Sequence, residues 1–479
     1  MRRYGFLLIM ISLCLPVCAK QDPNKTMPLT TSSPKARELY NQAVTNFEKM
    51  YIEPAHIGWK SAIAADPNFA RAYACLALYS RDPEEATDAR AKAKALESQV
   101  SPGERLMIEW IVNVQENNRV AGIAAMNDML AMFPKDKHLL YMVGNWHMRQ
   151  GNFDWAQKIY ERILAIDKNF PAALNELSNT YAHEREFDKA FSMLDRYVAL
   201  VPDQPTPQYT YGEILLRAGH YEQAFEHFRL ALKMDPKFII SQAGLANGYA
   251  LMGNQQRARD EYDKAIRDAL HTSGRFTFGL QKATTWVREN NFTEANKAFL
   301  AIAEDAHVQK FDLISSNAYR MMALYQPDDA DALKYLQSAE DALGDINITQ
   351  SDRDRQRALI LRVRAVRAVH ANQQELAQKT LQQLETLAGN NSSPIIQSSY
   401  HGAAGALLVT QQKFAEAIPH LEEDKDNPFS LELLSQAYAA TGATEKMHEV
   451  EVVLRGMNVI SMEQALVVPK VRARQPKGL

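Results

Sequence analysis

The sequence predicts an all-α fold in which pairs of helices repeat along the chain. The first observation is a strict spacing, because an Ala falls at positions 156, 190, 224 and 258, in steps of 34 residues. The second is that small residues, aromatic residues and helix-ending Gly or Pro recur around these alanines in one register. Such a period in a helical pattern is typical of a helix-turn-helix unit that stacks on copies of itself. The chain of 479 residues, 46% of them hydrophobic, can therefore bury one long core.

The unit that begins at residue 137 shows why each repeated position takes its residue type. Two helices approach closely only where small residues meet, so we expect Gly144 to face Ala156. Phe153 and Tyr160 fill the space beside that contact. Gly151 accepts the left-handed conformation that ends the first helix. The same positions recur in the next two units, at Ser178, Phe187, Ala190 and Leu194 and at Gly212, Tyr221, Ala224 and Phe228.

These motifs resemble those of the tetratricopeptide repeat family. The resemblance covers nearly all of the chain beyond the amino terminus and implies a right-handed superhelical α-solenoid of about twelve helix pairs. After Ala258 the spacing of the equivalent residues loosens to steps of 37, 37, 45, 40 and 30. Loops tolerate insertion better than packed helices do, so we expect the added residues to lie in loops such as 271–275 and 344–352. We divide the chain into a signal peptide (1–19), a flexible leader (20–34), a regular array (35–272), an irregular array (273–460) and a capping helix with a basic tail (461–479).

The amino terminus has the pattern of a secretory signal. Two arginines, Arg2 and Arg3, precede an apolar run that is too short to span a bilayer comfortably, and small residues precede a cleavage site after Ala19. Two other interpretations fit less well: a lipoprotein acylated at Cys18 and a twin-arginine signal. Cleavage would leave 52 basic against 57 acidic residues, which gives no strong field for nucleic acid. It would also leave Cys75 alone, and we expect a buried structural thiol there.

Two helix starts carry capping signals. Ser101 and Glu104 form a capping box, within an element that resembles one recurring in bacterial tetratricopeptide proteins. Ser461 and Gln464 can cap a short helix that runs to Val467 and covers the last pair. Beyond it the basic residues have no acidic balance, which fits a solvated tail or contact with an anionic envelope surface.

Motifs for catalysis are incomplete. The pair His183 and Glu184 begins a zinc-protease motif, but Phe187 stands where the second His is needed. The sequence has no phosphate-binding loop and no nucleophile elbow. The sequence therefore predicts no enzyme, no cofactor and no metal site. The Arg-rich stretch 353–367 fits either an anion-binding stripe or, as we prefer, ion pairs with neighbouring acidic helices.

The family resemblance implies a binding groove lined by the first helix of each pair. An Asn amide both donates and accepts hydrogen bonds, so asparagines along this groove can hold the backbone of an extended peptide. The clamp of chaperone-binding members is not expected, because Glu176 would repel their ligand's carboxylate. Carried over position by position, the groove residues are His138, Tyr141, Asn145, Met148, Arg149, Asn175, Asn179, His183, Tyr209, Glu213, Arg217 and Asn247.

We therefore expect an exported scaffold, periplasmic or secreted, that binds a protein or peptide of unknown identity in its groove. Nucleic-acid partners and a membrane span in the mature chain are not expected. One alternative is an envelope component that binds through its convex face and loops. A second alternative is a hydrolytic enzyme with its site in the groove.

Overall fold

The computed structural model describes residues 26–474, so the predicted signal peptide lies outside the described residues. The described chain contains 25 α-helices, numbered α1 to α25 in chain order. They are Pro34–Glu48, Ile52–Ala65, Ala70–Tyr79, Pro83–Leu96, Pro102–Gln115, Arg119–Met132, Lys137–Arg149, Phe153–Ile166, Pro171–His183, Phe187–Leu200, Pro205–Ala218, Tyr221–Met234, Ile239–Leu251, Gln255–Asp268, Thr272–Arg288, Phe292–Val308, Asp312–Tyr325, Asp329–Asp341, Gln350–His370, Gln374–Gly389, Pro394–Thr410, Phe414–Glu422, Pro428–Ala440, Thr444–Arg455 and Met462–Ala473. None of them is long and apolar enough to cross a bilayer.

The helices pair in order, α1 with α2 through α23 with α24, so the predicted twelve units are confirmed and α25 follows them. Unit n consists of helices 2n−1 and 2n. First helices of successive units contact one another, for example α9 with α11 and α21 with α23. Second helices pack chiefly between first helices. The first helices therefore line the inner, concave side of a superhelical solenoid.

Small residues meet aromatic rings inside units 4 and 6. A Cβ added to Gly144 would lie 2.6 Å from the Tyr160 ring, and one added to Gly212 would lie 2.6 Å from the Phe228 ring. The small residue at this position therefore makes room for the ring of its own unit. We expected it to face the repeated Ala instead, which is itself fully buried at Ala156.

Units that lie seven places apart in the solenoid contact each other. The turn inside one unit contacts the start of the unit seven places later, across more than 200 residues of sequence. Asn117 in unit 3 donates to Asp354 near the start of unit 10 (2.7 Å), and His183 in unit 5 lies 3.5 Å from Asp426, just before unit 12. Seven units therefore complete one turn of the coil. We refer to units 1–7 as the first turn and units 8–12 as the second turn.

The leader predicted to be flexible is ordered in its described part, so that prediction is wrong for residues 26–33. The side chain of Met27 is buried, and its backbone N–H donates to Asp136 (2.9 Å). The backbone N–H of Thr30 donates to Glu104 (2.9 Å), the residue that also completes the predicted capping box with Ser101. The segment thus lies across the amino-terminal ends of α5 and α7.

The extra residues of the second turn lengthen helices as well as loops. A loop lies at 345–349, within the expected range 344–352, but most of the loop expected at 271–275 is helical. Helix α15 already begins at Thr272, and α19 runs for 21 residues. Helix extension keeps the added backbone groups hydrogen-bonded, which a loop would leave to solvent. The last helix is also longer than predicted. Ser461 caps it as expected, but it continues through Pro469 to Ala473.

Candidate protein-interaction surface

Two predicted groove residues of unit 4, His138 and Tyr141, lie against the end of α1. The carboxylate of Glu48 bonds the His138 ring and, despite the opposing effect of burial, raises the pKa of His138 above its ordinary value. Tyr141 is only 1% exposed, with its ring 5.6 Å from that of Phe47. Tyr141 therefore cannot contact a peptide here, and its predicted groove role is wrong.

Unit 5 buries polar side chains in the same region. Asn175 is 1% exposed and donates to Glu176 (3.0 Å), while Thr210 donates to Asn175 (2.7 Å). Asn175 is therefore a packing residue and its predicted groove role is also wrong. Burial raises the pKa of Glu176 to about 7, although hydrogen bonds from Asn175 and Asn179 oppose the rise.

The remaining groove candidates are half-buried or exposed, and most already have partners within the chain. Asn179 donates to the carbonyl of Asn175, and Asn247 accepts from Tyr262 (2.5 Å). Burial raises the pKa of the Glu213 carboxyl, with Arg217 opposing. Peptide binding by these side chains stays a prediction. They are His138, Asn145, Met148, Arg149, Asn179, His183, Tyr209, Glu213, Arg217 and Asn247.

The second turn carries an open apolar pocket on its concave side. The cavity has a volume of about 300 Å³ and lies between the first helices α19, α21 and α23, beside the end of α17. Small-molecule and side-chain sites are usually clefts of this kind, lined by apolar side chains with a few polar groups. We call it the concave pocket. Its apolar lining includes Leu324, Val363, Val366, Val369, Ala406, Leu407, Phe429 and Leu433.

Arg362, which lines one wall of the concave pocket, belongs to a buried ion pair. Arg362 lies 2.5 Å from Asp424, and the two side chains are 12% and 4% exposed. Ser430 donates to Asp424 (2.5 Å) and accepts from Arg362 (3.0 Å). Burial raises the pKa of Asp424 above its ordinary value, and the Arg362 guanidinium opposes that rise. A Cβ on Gly402 would lie 2.7 Å from the Arg362 guanidinium carbon, so a larger residue there would displace the Arg362 side chain.

The Arg-rich stretch belongs to α19 and forms ion pairs, as predicted. Arg367 lies 2.8 Å from Asp329, and Arg357 lies 2.7 Å from Glu340. Of its six arginines within the described chain, only Arg353 pairs with backbone carbonyls instead of a carboxylate. The preference for ion pairs over an anion-binding stripe is therefore confirmed.

Sequence reasoning missed the concave pocket for a definite reason. Groove positions could be assigned only while the 34-residue register held, and that register ends near Ala258. The signal that remained was the apolar face of α19, with Val363, Val366 and Val369 at helical spacing between its arginines.

Cys75 is buried as predicted, and burial raises its pKa to about 11. Within residues 26–474, no group of three or more His, Cys, Asp or Glu side chains could hold a metal ion.

Comparison with known proteins agrees with this architecture. A family model described as tetratricopeptide repeat matches residues 205–238, which are the 34 residues from the start of unit 6 to the start of unit 7. Superkiller protein 3 of Schizosaccharomyces pombe is 27% identical over 236 residues, which are 47% of this chain and 17% of that protein. Anaphase-promoting complex subunit 6 of Arabidopsis thaliana is 25% identical over 187 residues, 38% of this chain and 33% of that protein. The chain thus matches a third or less of each relative's length.

Solved structures with some likeness include two large helical proteins. The Cut9-Hcn1 hetero-tetramer of APC/C matches with a TM-score of 0.43 and 18% identity, over 86% of this chain and 76% of that chain. Yeast Tom70 matches with a TM-score of 0.44 and 14% identity, over 86% and 96%. The family model describes one unit, and the same helix pair recurs twelve times along the described chain. Residues 205–238 therefore form a tetratricopeptide repeat, and the described chain is an all-α solenoid of twelve helix pairs.

Proposed function

We propose that this protein is a non-catalytic scaffold that binds a partner protein through the concave side of its second turn. The proposal rests on one observation, which is that the concave side is covered at several positions in the first turn but open in the second turn. In the first turn, concave residues such as Tyr141 and Asn175 are covered by the chain's own side chains. In the second turn, the concave pocket stays open beside aliphatic walls. Buried apolar anchors in such pockets supply most of the binding energy in protein interfaces.

A second candidate surface is the convex side, as in the envelope-component alternative. Trp155 on α8 is 60% exposed and Val120 on α6 is 86% exposed, and both helices are second helices of their units. Large exposed aromatic side chains are enriched at protein interfaces. This surface therefore serves as the competing hypothesis for partner binding.

Affinity capture with matched variants separates these surfaces. We expect the double variant Val366→Gln, Leu433→Gln to retain about tenfold less partner than the unaltered protein, because polar groups would be left unpaired in the interface. Trp155→Ala should capture as much as the unaltered protein. Loss of capture in the triple variant Asn145→Ala, Asn179→Ala, Asn247→Ala would instead show that the predicted asparagines of the first turn bind the partner. Each variant is first checked for unchanged helicity by circular dichroism. Full capture by the double variant, with loss in Trp155→Ala, would move the site to the convex face.

We further propose that the scaffold acts after export, in the periplasm or outside the cell. The support is the signal-like sequence of residues 1–19. Mass spectrometry of protein isolated from its native source should then give an amino terminus at Lys20. An amino terminus at Met1 would contradict export by cleavage, and a lipid-modified Cys18 would favour the lipoprotein interpretation.

A further inference from the structure

We propose that the partner segment carries a large aliphatic or aromatic side chain in the concave pocket and a basic side chain beside it that binds Glu432. This inference rests on the proposed function and names the chemistry of its partner. It follows from three features of the pocket: its apolar walls, the pairing of Arg362 and Arg367 within the chain, and the carboxylate of Glu432 in its lining.

The walls select an uncharged, bulky group. Val366, Ala406 and Leu433 come from three different first helices, so an entering side chain is enclosed from three directions. A cavity of about 300 Å³ accommodates one large apolar side chain together with part of the backbone that carries it. Small or polar side chains would leave this space poorly filled, which forfeits dispersion contacts.

The two guanidinium groups that line the pocket, those of Arg362 and Arg367, are already bonded within the chain. The guanidinium of Arg362 bonds Asp424 and Ser430. That of Arg367 bonds Asp329 and the carbonyl oxygens of Ala323 and Leu324. An acidic partner residue would therefore find no free guanidinium at these two positions. It would also face Glu432, so acidic groups are disfavoured.

Glu432 is the group at the rim that can accept a new cation. In this structure Arg474 at the end of α25 lies 3.0 Å from it, with side chains 62% and 24% exposed. Exposed pairs of this kind are weak, since solvent screens them and ordering the side chains costs entropy. Arg474 thus shows that a guanidinium fits against Glu432. A Lys or Arg from a partner, held by its neighbour in the pocket, can replace it.

Selection from a random-peptide library displayed on phage tests both parts of the inference. The baits are the full chain, Glu432→Lys, and the pocket variant Val366→Gln, Leu433→Gln. The unaltered protein should enrich peptides that place Lys or Arg near a large apolar residue. Glu432→Lys should enrich the same apolar residues next to Asp or Glu. Synthetic copies of the basic peptides should bind Arg474→Ala several-fold more tightly, because Glu432 is then free.

The outcomes distinguish the inference from the function on which it rests. Peptides that depend on the pocket but show no change of charge preference with Glu432→Lys would overturn the basic-residue inference and leave the scaffold proposal standing. Peptides that bind the folded pocket variant as well as the unaltered protein would overturn the proposed binding surface itself. Circular dichroism of all baits confirms that each is folded before selection.

Discussion

Replacing Asp424 by Ala should lower the free energy of unfolding by about 3–5 kcal/mol, because it leaves the Arg362 guanidinium buried without its carboxylate. The loss exceeds the value of the ion pair itself, since the remaining charge still bears its desolvation cost. The segment between α22 and α23 should become mobile first, because Asp424 joins it to α19. Urea denaturation followed by circular dichroism gives the free energy, and hydrogen exchange locates the loosened helices.

Two control variants make this prediction specific. Glu38→Ala removes an exposed ion pair with Lys35 and should change stability little. The double variant Arg362→Met, Asp424→Leu removes both charges and should recover much of the loss, as apolar replacements of buried pairs commonly do. A single variant Asp424→Ala as stable as Glu38→Ala would show that Arg362 finds solvent or another acceptor, and that the pair does not hold the pocket wall.

The helix pairs could be predicted because each unit repeats the same local packing problem. A ring such as Tyr160 or Phe228 needs a small residue opposite it, and this requirement returns at a fixed spacing in the sequence. The ion pairs of α19 were predictable for a similar reason. A helix with six arginines needs acidic neighbours, and α18 supplies Asp329 and Glu340.

The contacts between the first and second turns of the solenoid could not be predicted in this way. They depend on single residue pairs such as Asn117 with Asp354, whose residues are far apart in sequence and follow no period. The ordered leader depends likewise on Asp136 and Glu104, which look like ordinary helix caps until a second segment bonds to them. The concave pocket combines residues of three helices after the register has loosened, so no single unit contains its pattern.

Glu176 is the buried carboxyl for which we expect the largest pH effect. Its hydrogen-bond partners are the amides of Asn175 and Asn179, and no cation is among the groups that shift its pKa. The pKa of each of Tyr141, Tyr160 and Tyr197 is raised by burial and further by the Glu176 charge. The hydroxyls of Tyr160 and Tyr197 have no hydrogen-bond partner among the described residues. The folded protein therefore favours the neutral carboxyl, which explains why its pKa rises from 4.5 to about 7.

Glu176→Gln should accordingly stabilise the protein above neutral pH by about 3 kcal/mol, the free energy equivalent of that pKa rise. The unfolded chain loses this proton near pH 4.5, whereas the folded protein keeps it until about pH 7. The unaltered protein thus loses stability as the pH rises between these values, and the variant is spared that loss. The two should be nearly equal below pH 4.5, and their difference should grow to its full size by pH 8. Urea denaturation across this range measures the difference, with the exposed Glu184→Gln as control. A constant difference at every pH would mean that Glu176 keeps an ordinary pKa, and that a cation or solvent reaches it inside the first turn.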